Sequence, residues 1–93
     1  MKTQFKTYLI EKGYSLTTPS GYPSTVYDYQ KRIDKVCVWE HCTWEELASN
    51  IENIVIQYDI GGDKEQFGKR SHSAVINALK RYRDFTIERI QDR

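Results

Sequence analysis

The residues best equipped for chemistry lie in one short run, Cys37-Val38-Trp39-Glu40-His41-Cys42. Cys37 and His41 are four apart and could share a helix face, as two metal ligands do, and a Cys–His pair is also the start of a nucleophilic couple. Neither pattern is complete. A structural zinc site wants a fourth ligand in a familiar spacing, which C-x4-C with one intervening His does not supply. A Cys–His nucleophile wants an oxyanion hole and an orienting third group, and no residues here are recognisable in those roles. The alternative is that Cys37 is a small core thiol at a helix end, with His41 and Cys42 in the following turn. Gly61-Gly62 lacks the further glycines, lysine and hydroxyl of a phosphate-binding loop and reads as a helix stop. No metal, cofactor, small-molecule substrate or catalysis by this chain is expected.

A second chemistry is better supplied. Seven tyrosines occur in 93 residues, several beside cations, as in Lys80-Arg81-Tyr82-Arg83 and from Tyr27 to Arg32. Phenol, guanidinium and ammonium groups donate to phosphate oxygens, and a helix N-terminus adds backbone N–H groups and a favourable dipole. Tyr8, Tyr29, Tyr58 and Tyr82 fall on apolar stripes and are expected in the core, which leaves Tyr14, Tyr22 and Tyr27 freer.

The charge pattern points the same way. A formal net charge of +1 conceals net +3 over residues 1–33, −6 over 34–63, +5 over 64–83 and −1 over 84–93. An acidic middle separates two basic segments, which would form one positive face if folding brought them together. Such a face suits an anionic partner.

Four helices are expected to position these groups, with no strand-like alternation. The first, from about Thr3 to Lys12, carries Phe5, Tyr8 and Leu9 and stops at Gly13. A loop rich in Pro, Gly and Ser follows to Pro23. Ser24 caps the second, with Val26, Tyr29, Ile33 and Val36 on its apolar stripe. Thr43 and Glu46 form a capping box for the third, which runs through Trp44, Leu47, Ile51, Ile54, Val55 and Tyr58 to near Asp59. A flexible connection over residues 61–70 tucks Phe67 back into the core. The fourth opens at Ser71 or Ser73 and buries Val75, Ala78, Leu79, Tyr82, Phe85 and Thr86. The expected fold is a single all-α domain, a compact four-helix bundle over residues 1–93. With two cysteines, no run of about 20 apolar residues and no secretory signal, a cytoplasmic protein without disulfides is expected.

The order of these features resembles the N-terminal core-binding domain of tyrosine recombinases, the phage integrase family. The likeness runs from Phe5-x-x-Tyr8-Leu9 through Ser24-Thr25-Val26-x-x-Tyr29-x-x-x-Ile33 and Thr43-Trp44-Glu45-Glu46-Leu47. It ends on Ser71-His72-Ser73-Ala74-Val75-Ile76-Asn77-Ala78-Leu79-Lys80-Arg81-Tyr82-x-x-Phe85, its most specific part. The resemblance implies a SAM-like bundle that clamps double-stranded DNA during DNA integration and recombination, its second and fourth helices toward the major groove. It nominates Thr25, Lys31 and Arg32 on the second helix, and Lys69, Arg70, Ser71, His72, Asn77, Lys80 and Arg81 around the fourth. The recombinase catalytic residues are absent, so the chain is expected to be either a fragment of an integrase, with the catalytic domain in a longer parent chain, or a stand-alone relative. Two departures stand out: the loop over residues 17–23 is longer than the family's, and no tyrosine here takes the nucleophile's place. The competing reading is a helical protein-interaction module that works through its acidic third helix or a Trp39/Trp44 surface.

Overall fold

A computed structural model describes residues 1–21 and 24–91, with the side chains of Ile90 and Gln91 excepted. Tyr22 and Pro23, of which Tyr22 was a candidate phosphate donor, lie outside the described residues. The described chain is all-α and consists of α1 (Lys2–Glu11), α2 (Thr25–Glu40), α3 (Trp44–Ser49), α4 (Ile51–Tyr58), α5 (Glu65–Gly68) and α6 (Arg70–Gln91).

The expected stripes become one core. Phe5 and Leu9 of α1, Val26, Ile33 and Val36 of α2, Leu47 of α3, Tyr58 of α4 and Leu79 and Tyr82 of α6 are buried in it. Phe5 stands at its aromatic centre, 5.2 Å from Tyr82, 5.7 Å from Phe85 and 5.9 Å from Trp44 between ring centroids. The tilted and edge-on angles of these pairs suit ring quadrupoles. Trp44 is held further by its indole N–H, which donates to Asp34 at 2.9 Å, and by its carbonyl, which accepts from the Tyr82 hydroxyl at 2.6 Å.

Helix ends follow local chemistry in most places. Gly13 ends α1 in the left-handed region (φ 95°), with Tyr14 N–H donating to the Leu9 carbonyl and Gly13 N–H to Ile10, both at 3.0 Å. This is the Schellman arrangement, which satisfies carbonyls left over at a helix end. The capping box of α3 forms in full: Glu46 N–H donates to the Thr43 hydroxyl at 3.1 Å, and Thr43 N–H to the Glu46 carboxylate at 3.0 Å. Ser24 precedes α2 without its side chain making a capping bond. The backbone does that work instead, since Ser24 N–H donates to the Leu16 carbonyl and Val26 N–H to Ser15.

Three expectations change. The third helix is two, because Asn50 leaves helical geometry (φ −122°, ψ 18°) and its side-chain oxygen accepts from the Asn53 amide. Ser and Asn compete with helical bonds through their own side chains, so Ser49-Asn50 is a weak point that tertiary packing bends. The supposed flexible connection holds a helical turn, α5, with Gly68 buried against α4. Phe67 does not enter the core; it stands edge-on to Trp39 at 5.1 Å and stays partly exposed.

Candidate nucleic-acid interface

α2 packs chiefly against α6, and two contacts fix their relative direction. The Arg70 guanidinium lies over Trp39 near the C-terminal end of α2, 5.3 Å from the ring centroid. Arg81 lies near the Tyr14 and Tyr29 rings, nearer the start of α2. The helices are therefore antiparallel, and Arg32 and Asn77 fall at the same level between those two contacts. Helical spacing sets the rest: Thr25 and Arg32 share the edge of α2 nearest α6, and Asn77 and Arg81 stand four apart on the exposed side of α6. Five of the nominated residues, Thr25, Arg32, Arg70, Asn77 and Arg81, thus lie along one seam.

The seam's cations are partly engaged. Arg32 pairs with Asp28 at 3.1 Å, and its Nε is buried without a hydrogen-bond partner among the described residues. Arg81 pairs with Asp84 at 3.1 Å. Arg70 is held differently, between Trp39 and Phe67, with the Phe67 centroid at 4.9 Å. Cation–π contacts of this kind orient a guanidinium while leaving its N–H edge available. Lys31 is exposed on the solvent side of α2, and with Lys35 four residues on it makes no ion pair among the described residues.

The other nominated residues are placed differently. Lys80 points to the opposite flank of α6, where it pairs with Asp59 at 3.2 Å beyond the end of α4, so it is not part of the seam. Lys69 ends α5 and pairs with Glu65 at 2.8 Å. Ser71 and His72 are exposed and, with Ser73, occupy the left-handed region (φ 56°, 57° and 67°), so the regular part of α6 starts only at Ala74. Three such non-glycine residues in a row carry backbone strain of about 1–2 kcal/mol each. The N-terminus of α2 is less open to an anion than the sequence suggests, because Val26 N–H is already bonded to Ser15 and Asp28 sits in the first turn.

Sequence reasoning missed Lys35, the aromatic cradle of Arg70 and the two carboxylates that compete for the seam. Asp28–Arg32 and Arg81–Asp84 stand at helical ion-pair spacings, and that signal was there to be read. The surfaces of the competing reading are accounted for in part: Trp44 is engaged with Phe5, Tyr82 and Asp34, and Trp39 stacks on Tyr58 at 6.4 Å.

Around Cys37 and Cys42 no third His, Cys, Asp or Glu converges to complete a metal site among the described residues. Among the same residues no helix is long and apolar enough to cross a membrane. Comparison with protein-family models, with curated proteins and with solved structures finds no match to this chain.

Proposed function

We propose that this chain is a duplex-DNA-binding domain of the tyrosine recombinase core-binding type, using the α2–α6 seam to hold one side of the duplex. The observation that carries this reading is the antiparallel packing of the two basic segments, which gathers Arg32, Arg70 and Arg81 with Asn77 along one seam. Guanidinium and ammonium groups outnumber the side chains suited to base edges, so the contacts are mainly to phosphates. Asn77, exposed on α6, is the one seam residue with the bidentate pattern that reads adenine. Cutting and joining of DNA would fall to a separate catalytic domain. The SAM-like arrangement belongs to the same proposal, with α3 and α4 together in the place of the family's third helix.

Fluorescence anisotropy of labelled duplex DNA at two salt concentrations tests it. The expected result is binding that weakens steeply with salt, since each neutralised phosphate contributes a slope of about −0.9 in log K against log salt. Absence of binding at low salt and high protein concentration overturns it.

A further inference from the structure

The C-terminal end of α2 is closed by the same device as α1, with one unusual choice of side chains. His41 takes the left-handed conformation (φ 53°, ψ 47°), Cys42 N–H donates to the Cys37 carbonyl at 3.0 Å, and His41 N–H donates to Val38 at 3.3 Å. In a Schellman closure the residue before the last helical turn and the residue after the left-handed one bring their side chains together, normally as a small apolar contact. At the end of α1 those positions hold Leu9 and Tyr14. At the end of α2 they hold Cys37 and Cys42, both free, both half-buried against the core, with their thiols near each other.

We propose that Cys37 and Cys42 form a vicinal dithiol modification site, closed to an intramolecular disulfide by a low-molecular-weight disulfide oxidant such as oxidised glutathione. The 6→1 backbone bond ties the two residues to each other across the helix end, so closure is expected to ask for side-chain rotation and not for movement of α2. Cys42 is the entry point, because Cys37 is the more enclosed of the pair. The Cys42 thiolate attacks one sulfur of the oxidant and releases one molecule of reduced glutathione, leaving a mixed disulfide. The Cys37 thiolate then attacks the Cys42 sulfur and releases the second. Two thiols lose two protons and two electrons, and one glutathione disulfide is reduced to two thiols.

The environment sets the pace of this chemistry. Burial pushes the Cys37 thiol up to about 12, with further help from the neighbouring Cys42, and burial raises Cys42 as well. Both rest as protonated thiols at neutral pH, so the first attack is slow and quickens in mildly alkaline solution. Once a mixed disulfide forms, the second attack is intramolecular and glutathione does not accumulate on the protein. The bond would pin the α2–α3 corner beside Trp39, the residue that holds Arg70. The chemistry does not depend on the DNA-binding reading.

The test is incubation of the folded protein with oxidised glutathione at mildly alkaline pH, followed by intact mass and thiol counting. The expected product is a monomer with both thiols lost, no retained glutathione and an upward shift in melting temperature. Cys37→Ser should instead retain one glutathione on Cys42. A wild-type product that keeps glutathione overturns the proposal. So does a folded protein that keeps both thiols while the denaturant-unfolded chain oxidises in the same mixture. Both decisive outcomes are read on the wild-type chain, so they stand even if the serine variant fails to fold.

Discussion

On one flank of α6 the main chain itself is in contact: a Cβ added to Gly68 would lie 2.0 Å from the Tyr58 carbonyl oxygen and 3.4 Å from the Ile76 side chain, so α5 meets α4 backbone to backbone and rests on Ile76 of α6. Charges on that flank are consumed locally, Lys80 by Asp59 and Lys64 by Glu40 at 2.5 Å, with the Tyr58 hydroxyl donating to the same Glu40 carboxylate at 2.8 Å. On the other flank α2 packs on α6, and the outer face of the pair retains Lys31, Lys35, Asn77 and the aromatic-backed Arg70. Both flanks derive from basic stretches of sequence. One spends its cations on closing the fold, and the other pairs Arg32 and Arg81 with neighbouring carboxylates but leaves Lys31, Lys35 and Arg70 facing outward, where an anionic partner could meet them.

The largest effect expected from breaking this contrast is at Gly68. Gly68→Ala should destabilise the domain by about 3 kcal/mol, since the clash is with backbone that cannot rotate away. A drop in the urea midpoint checks it, and an unchanged midpoint would mean that the flank is not closed as described. On the open flank, Arg81→Ala should leave stability within about 0.5 kcal/mol while lowering DNA affinity about tenfold and reducing the salt slope by about one, uniformly across sequences. Lys80→Ala, from the closed flank, should change DNA affinity far less under the same conditions.

Acid titration sharpens the closed flank further. Burial by itself would raise the Glu40 carboxyl, but its bonds from Lys64 and Tyr58 outweigh that and hold it below the usual carboxylate range. A carboxylate with a lowered folded value adds stability that is present above the unfolded value of about 4.3 and lost as pH falls through the folded one. Wild-type stability should therefore decline on acidification below that range, and Glu40→Gln should flatten part of the decline when urea midpoints are compared across pH. The smallest expected effect is a gain. Asp84→Asn frees Arg81 from its carboxylate partner and should tighten DNA binding several-fold, most visibly at low salt. An unchanged affinity would place Arg81 outside the contact surface.

Much of the architecture is legible in the sequence. Stripes at helical spacing announced nearly the whole core, and Gly13 and the Thr43–Glu46 box marked helix ends where the chain does turn. Gln30 escaped that reading, as a polar residue buried on α2 whose amide donates to the Lys2 carbonyl at 3.3 Å, a partner from another helix. His41 escaped it too, because glycine is the usual signal of a left-handed helix end and histidine is not. Of the nominated DNA contacts, charge picked out the two basic segments, while the individual residues came from the family resemblance. That Lys80 belongs to the other flank could not be read from either, since its partner Asp59 lies 21 positions away in sequence and is brought to it by the packing of α4 on α6.

Short-range regularities were therefore largely determined by the sequence alone: where the long helices run, which faces are apolar, the Gly13 stop and the Thr43–Glu46 box, and where positive charge accumulates. These depend on interactions across three or four positions, and such interactions are present in the local sequence. The tertiary structure alone decided that Lys80 is paired with Asp59, that Arg70 is cradled by Trp39 and Phe67, that Gly68 admits no side chain and that Cys37 meets Cys42. The first three depend on groups 10 to 31 positions apart, except for the local Arg70–Phe67 contact. The last depends on a left-handed residue that no local preference for histidine announces.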